Sequence, residues 1–142
     1  MSRTLQSMPQ VAVLLPTSFK VSRDMRRGVL QYARRYGPWG LHIIEGRRGE
    51  QKLIRMNEWG CTGIIGRLHT PELVEAAARA KVPQVLVDPE ERRLPKGHPI
   101  HRHSVVRSDT AAVGRLAAAY FLERRFIHYA YVGEVQGFTW SV

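Results

Sequence analysis

Ser18, Phe19, Arg23 and Asp24, then Arg67 and His69, then Asp88, then Asp109, are polar or aromatic residues that each follow a short apolar run. Carboxylates and guanidinium groups are planar and can engage a pair of neighbouring hydroxyls with two hydrogen bonds at once. An aromatic ring covers the apolar face of a sugar ring. Aspartate and arginine on one rim, with Phe19 beside them, therefore suit a neutral polyhydroxylated ligand. Two simpler readings stand next to this one: Asp109 as a helix N-cap, and Arg23 and Asp24 as ordinary first-turn helix residues.

Other chemistries find less support. His98, His101 and His103 lie close together, but their spacing matches no structural zinc pattern, and prolines and basic residues surround them. The stretch Gly46-Arg47-Arg48-Gly49 has the outline of a phosphate-cradling GxxG loop, without the helices that module needs, and reads as a plain turn after a strand. No G-x-G-x-x-G follows the first apolar run, and neither a P-loop nor a G-x-S-x-G elbow is present. Nothing in the spacing positions a Ser, His and Asp as a triad. The expectation is a binding protein, not an enzyme, with no cofactor and no bound metal.

The elements that must position the rim residues are legible as alternating apolar runs and amphipathic stretches. Residues 10–15 (QVAVLL) are continuously apolar and stopped by Pro16, the pattern of a strand buried on both faces. A helix is expected over 22–36, with Met25, Val29, Ala33 and Tyr36 on one face and Gly37-Pro38 ending it. A strand over 39–45, a helix over 49–59 and a strand over 62–66 follow. Thr70 then caps a helix with Pro71 at its first position and Leu73, Val74 and Ala77 facing inward. Residues 84–87 form a fourth strand, and 88–103, with three prolines, a surface loop. Val105 and Val106 begin a fifth strand. Asp109 or Thr110 caps the next helix, whose Val113, Leu116, Ala117, Tyr120 and Phe121 form a stripe expected to lie against the sheet, with Gly114 at its edge allowing close approach. Residues 127–132 read as one further strand. Such alternation predicts an α/β fold with a doubly wound parallel sheet, whose ligand contacts sit on loops at the carboxyl ends of the strands.

Composition sets bounds. The chain has 142 residues, enough for one domain. Its formal net charge is +10, yet the arginines come in scattered pairs (Arg26-Arg27, Arg34-Arg35, Arg47-Arg48, Arg92-Arg93, Arg124-Arg125), which favours solvated faces over a nucleic-acid groove. The one cysteine, Cys61, forms no internal disulfide and reads as a small hydrophobe at a strand start. No apolar run reaches the length of about 18 residues that a membrane span needs, and no apolar leader precedes the first strand, so a cytoplasmic location without membrane contact is expected.

Asp109, Gly114, Leu116, Ala117, Ala118, Leu122 and Glu123, followed by Ile127, Ala130 and Gly133, resemble the matching segment of effector-binding domains in the lactose- and galactose-repressor family. That resemblance implies one lobe of a type I periplasmic-binding-protein-like fold, with Asp109 facing the effector. Arg124-Arg125 and the residues flanking Asp109, Ser108 and Thr110, depart from the family pattern. The stretch TSFKVSRDMRRGV, with no helix-turn-helix before the first strand, looks like the xylose-operon regulator subgroup, in which the sugar-binding domain precedes the DNA-binding domain.

What this resemblance implies is a division into a disordered lead (1–9), an N-terminal effector-binding lobe (10–125), and a crossover with the first strand of a missing second lobe (126–142). It implies a sugar effector, a pentose such as xylose, bound by Ser18, Phe19, Arg23, Asp24, Arg67, Asp88 and Asp109. It also implies a bacterial transcription regulator that dimerises, for which the helix over 22–36 offers a surface, and that meets DNA only through a domain outside this chain. The strand over 127–132 would then have to join the edge of its own sheet or pair with another chain. A fragment of a solute-binding protein serving sugar transport is the alternative. A receiver-type domain is disfavoured, since the first strand lacks the acidic pair that holds magnesium there.

Overall fold

A computed structural model of the chain describes residues 8–89 and 94–133, the Arg47 side chain excepted. Most of the expected lead, the tip of the 88–103 loop and the last nine residues of the expected second-lobe entry lie outside the described residues. Five parallel strands, β1 (Gln10–Leu14), β2 (Gly40–Ile43), β3 (Gly63–Gly66), β4 (Gln84–Val87) and β5 (Ser104–Val106), form one sheet in the order β2-β1-β3-β4-β5. Four helices connect or follow them: α1 (Lys20–Tyr36), α2 (Gly46–Ile54), α3 (Pro71–Arg79) and α4 (Thr110–Glu123). Short 3-10 turns at Met56–Trp59 and Pro99–Arg102 complete the described elements.

β1 lies inside the sheet between β2 and β3 and is buried on both faces because Val11 to Leu14 supply a core residue at every position. Ala12 and Leu14 point into the larger core with Ile64, Leu86 and Met56, which α2 closes through Leu53 and α3 through Leu73, Ala76 and Ala77. Val11 and Val13 point the other way, into a smaller core with Leu15 and Val87 that α1 covers through Met25 and Val29. Helices on both faces of a parallel sheet are compatible with the expected doubly wound arrangement.

Local chemistry explains most boundaries. Thr70 Oγ1 accepts from the Leu73 N–H at 3.3 Å, with Pro71 at the first helical position. Asp109 Oδ1 accepts from the Ala112 N–H at 2.8 Å and caps α4. The expected helix over 49–59 is instead two pieces, α2 and a 3-10 turn closed by left-handed Gly60. Gly46 to Gly49, expected as a turn, is the first turn of α2, and a Cβ at Gly49 would stand 3.1 Å from the Ile44 backbone. Ile44 stays buried beyond the end of β2. Cys61 is half-buried against the larger core and its Sγ donates to the Gly63 carbonyl.

Three further expectations fail. Tyr36 does not share the buried face of α1; it stacks on Tyr32 at the surface, ring centroids 4.6 Å apart. The stripe of α4 does not lie on the sheet: Val113, Leu116, Tyr120 and Phe121 are all exposed, Leu116 by 72%, and nothing approaches Gly114. Residues 127–132 are not a strand. That stretch turns back over α4, where Phe121 meets Phe126 and Tyr129 edge-on and the Phe126 N–H donates to the Phe121 carbonyl. An apolar period states that a surface needs covering; it does not state by what.

At the far edge of the sheet, His42 on β2 is gripped on both ring nitrogens. Lys52 Nζ donates to Nδ1 at 3.0 Å, which leaves the Nε2–H to donate to Gln10 Oε1 at 2.7 Å, and the ring packs on Trp59. Burial, then the Lys52 ammonium, push the His42 imidazolium below its ordinary pKa of 6.5. The neutral ring is the folded form, so its contribution to stability is present above 6.5 and is lost as pH falls from there through the lower folded value. His103, also held down by burial, acts in the same direction. His42→Gln should therefore flatten, without abolishing, the decline in denaturation midpoint between about pH 7.5 and pH 5.5; parallel wild-type and variant curves would refute the assignment.

Candidate functional site

The strand order places a topological switch point between β1 and β3, because the chain leaves β1 towards β2 on one side and β3 towards β4 on the other. Loops at the carboxyl ends of the two strands diverge there and leave a crevice. A cavity of about 790 Å³ opens at this point, floored by Leu14, Ile44, Leu68 and Leu73 and rimmed by Ser18, Phe19, Glu45, Glu50, Arg67, His69 and Asp88. An apolar floor with a few convergent polar groups is the usual make-up of a small-molecule site. A second, broader hollow of about 1300 Å³ lies on the other side of Phe19, Arg67 and Asp88, between the start of α1 and the exposed α4 with residues 126–131.

Gly66 is what lets β3 deliver Arg67. Its φ is +147°, and a Cβ there would collide with the Leu14 carbonyl, the same group that accepts from the Arg67 N–H at 2.9 Å. The guanidinium then reaches Asp88 at the end of β4, Nη2 donating to Oδ2 at 2.9 Å. Asp88 sits in the left-handed region at φ +40°, which aspartate and asparagine tolerate better than most residues. Its carboxylate also accepts from the Ser108 N–H at 2.7 Å on Oδ1 and from Ser108 Oγ at 3.2 Å on Oδ2. Asp88 thus joins the ends of β3, β4 and β5. With three donors already on its two oxygens, it acts chiefly to aim Arg67, which lines the crevice.

The other expected rim residues divide. Ser18 and Phe19 stand at the cavity, Phe19 60% exposed as a free aromatic face. Arg23 instead turns back to donate from Nη1 to the Thr17 carbonyl at 2.6 Å. Asp24 lies on the outside of α1, paired with Lys20 at 2.6 Å and Arg27 at 3.8 Å. That Lys20 hydrogen bond is the main reason its carboxyl is held below the usual range. Asp109 caps α4 and lines neither hollow. The structure therefore brings Ser18, Phe19, Arg67 and Asp88 together and sets Arg23, Asp24 and Asp109 apart from them.

Glu45 and Glu50 were not singled out from the sequence. The signal was available for Glu45, which ends the second apolar run as the others end theirs; Glu50 lies on α2 and reaches the site only because its carboxylate meets His69 at 3.2 Å. Of the three clustered histidines, His98 meets Glu75 at 3.5 Å and caps the 3-10 turn, and His101 meets the Pro95 carbonyl. Among the described residues no group of three or more His, Cys, Asp or Glu converges on a metal-sized point. Among them, too, no helix is long and apolar enough to cross a membrane.

No protein-family model, no curated protein and no solved structure matches the chain.

Asparagine at position 88 keeps the backbone preference and the shape but replaces one carboxylate oxygen by a donor. Asp88→Asn should lower the unfolding free energy by about 1–3 kcal/mol, the range for a partly buried hydrogen-bonded charge losing its partner. Urea denaturation checks this, and a midpoint equal to wild type would show that the three-strand junction carries no stability.

Proposed function

We propose that the chain is an N-terminal effector-binding lobe of the type I periplasmic-binding-protein-like kind, sensing a sugar, a pentose such as xylose, within a bacterial transcription regulator. The observation that carries this reading is the placement of Ser18 and Phe19 after β1 and Arg67 after β3 on either side of the switch-point crevice. A guanidinium aimed by Asp88 offers parallel donors to vicinal hydroxyls, Ser18 offers a hydroxyl of either polarity, and Phe19 offers an apolar face. Asp109 and the outward Asp24 have their nearest roles on the helices that carry them, so the contact set is narrower than the resemblance implies.

The exposed apolar surface of α4, with Val113, Leu116, Tyr120 and Phe121, and of residues 126–132 supports the two-lobed part of the reading, since a large exposed apolar patch marks an interface. In such a protein the second lobe closes on the first about a hinge, ligand shifts the population towards the closed form, and a dimer passes that shift to a DNA-binding domain outside this chain. The location that fits is cytoplasmic.

A thermal-shift panel of pentoses and hexoses tests the proposal. At a sugar concentration one hundred times the dissociation constant, binding adds about 2.7 kcal/mol to stability and raises the melting temperature. Arg67→Ala should abolish the rise. No rise with any sugar for the wild-type protein would overturn sugar sensing.

A further inference from the structure

Glu45 closes β2 and reaches across to the loop that follows β1. Its Oε1 accepts twice from one residue, from the Thr17 N–H and from Thr17 Oγ1, each at 2.6 Å. Its Oε2 faces Arg26 Nη1 on α1 at 3.9 Å. From the opposite side Arg23 Nη1 donates to the Thr17 carbonyl, also at 2.6 Å. Every polar group of Thr17 is therefore held, between Pro16, whose ring fixes its own φ, and Ser18.

This loop has little else to fix it. α1 begins at Lys20 with Phe19 at the N-cap position, and no side chain caps it there; its first turn carries no acidic residue. The usual local devices that would set the entry angle of the chain into α1 are missing, and Glu45 supplies the constraint from another strand. Ser18 and Phe19 are the two residues whose direction that constraint decides.

We infer that Glu45 is a positioning residue, which through Thr17 fixes the β1–α1 loop so that Ser18 and Phe19 stand at the mouth of the switch-point cavity. Its Oε1 is occupied by two donors, and the role assigned to it is the hold that this oxygen has on the loop. The consequence for binding rests on the sugar reading above; the consequence for the loop does not.

The two Thr17 hydrogen bonds, side chain first and then backbone, hold the Glu45 carboxyl below its ordinary range, and Arg26 adds in the same direction. The ionised form is thus the loop-holding form. Its hold is complete above the ordinary glutamate value and is lost as pH falls through the lower folded value.

Amide and carboxyl NMR on the whole chain tests the inference with Glu45→Gln, Thr17→Val and Thr17→Ser. Serine keeps both donors, valine removes the hydroxyl, and glutamine removes the charge. In wild type the Thr17, Ser18 and Phe19 amides should titrate together with Glu45, at a pH below the ordinary glutamate value. In Glu45→Gln that step should vanish and the three amides should move, with β1 and β3 amides unmoved; Thr17→Val should move them too, and Thr17→Ser should restore them. Should Glu45→Gln fail to fold, the Thr17→Val and Thr17→Ser pair makes the same comparison. Ser18 and Phe19 amides at wild-type positions in Glu45→Gln, or a Glu45 that titrates at or above the ordinary glutamate value, would overturn the inference. With D-xylose as the probe, Glu45→Gln and Thr17→Val should weaken binding about tenfold and Thr17→Ser should not. If wild type binds neither xylose nor any other sugar of the panel, the sugar reading fails while the loop measurement still decides the role of Glu45.

Discussion

Burial of β1 on both faces is the constraint from which the remaining structure follows. A strand with Val11 and Val13 on one side and Ala12 and Leu14 on the other has no solvent face, so strands must flank it and helices must cover it above and below. β2 and β3 take the two flanks, α1 one face, α2 and α3 the other. Once the chain has left β1 in one direction and β3 in the other, the crevice between their carboxyl ends is a product of topology, and whatever residues end those strands become its rim.

What those residues do is decided by a second layer of contacts. Two carboxylates at the rim, Glu45 and Asp88, spend their oxygens inside the protein: one holds Thr17, the other holds Arg67 and Ser108. Each ties the end of one strand to the loop of another, and each leaves a different group facing the cavity, Ser18 with Phe19 in the first case and the Arg67 guanidinium in the second. The acidic side chains thus act as frame and the hydroxyl, ring and guanidinium as the exposed chemistry. A cavity built this way offers donors and an aromatic face over an apolar floor.

Much of the fold was legible because its signals are local or periodic. Four of the strands are short apolar runs with β-branched residues, and Thr70-Pro71 and Asp109 mark helix starts by the hydrogen bonds they accept. The site was legible in part: position after a strand placed Ser18, Phe19, Arg67 and Asp88 at one rim, yet the same rule also gathered Asp24 and Asp109, whose nearest partners lie on their own helices. Which carboxylate is aimed inward depends on pairings between residues 20 to 28 apart in sequence, Asp88 with Ser108 and Thr17 with Glu45, and no spacing rule contains them. The stretch over 127–132 has strand composition but joins neither edge strand, β2 or β5, and α4 has an apolar period but no sheet beneath it; composition expresses a tendency to be buried and leaves the partner open.

The central claim is that the crevice between β1 and β3 is where a sugar binds. Mapping amide and side-chain shift changes on addition of D-xylose addresses it most directly. Saturable changes are expected at Ser18, Phe19 and the Arg67 guanidinium, with smaller ones at Thr17 and Asp88 and none along the outer face of α1. Changes confined to α4 and residues 126–133, or saturation without any response at Phe19 and Arg67, would contradict it.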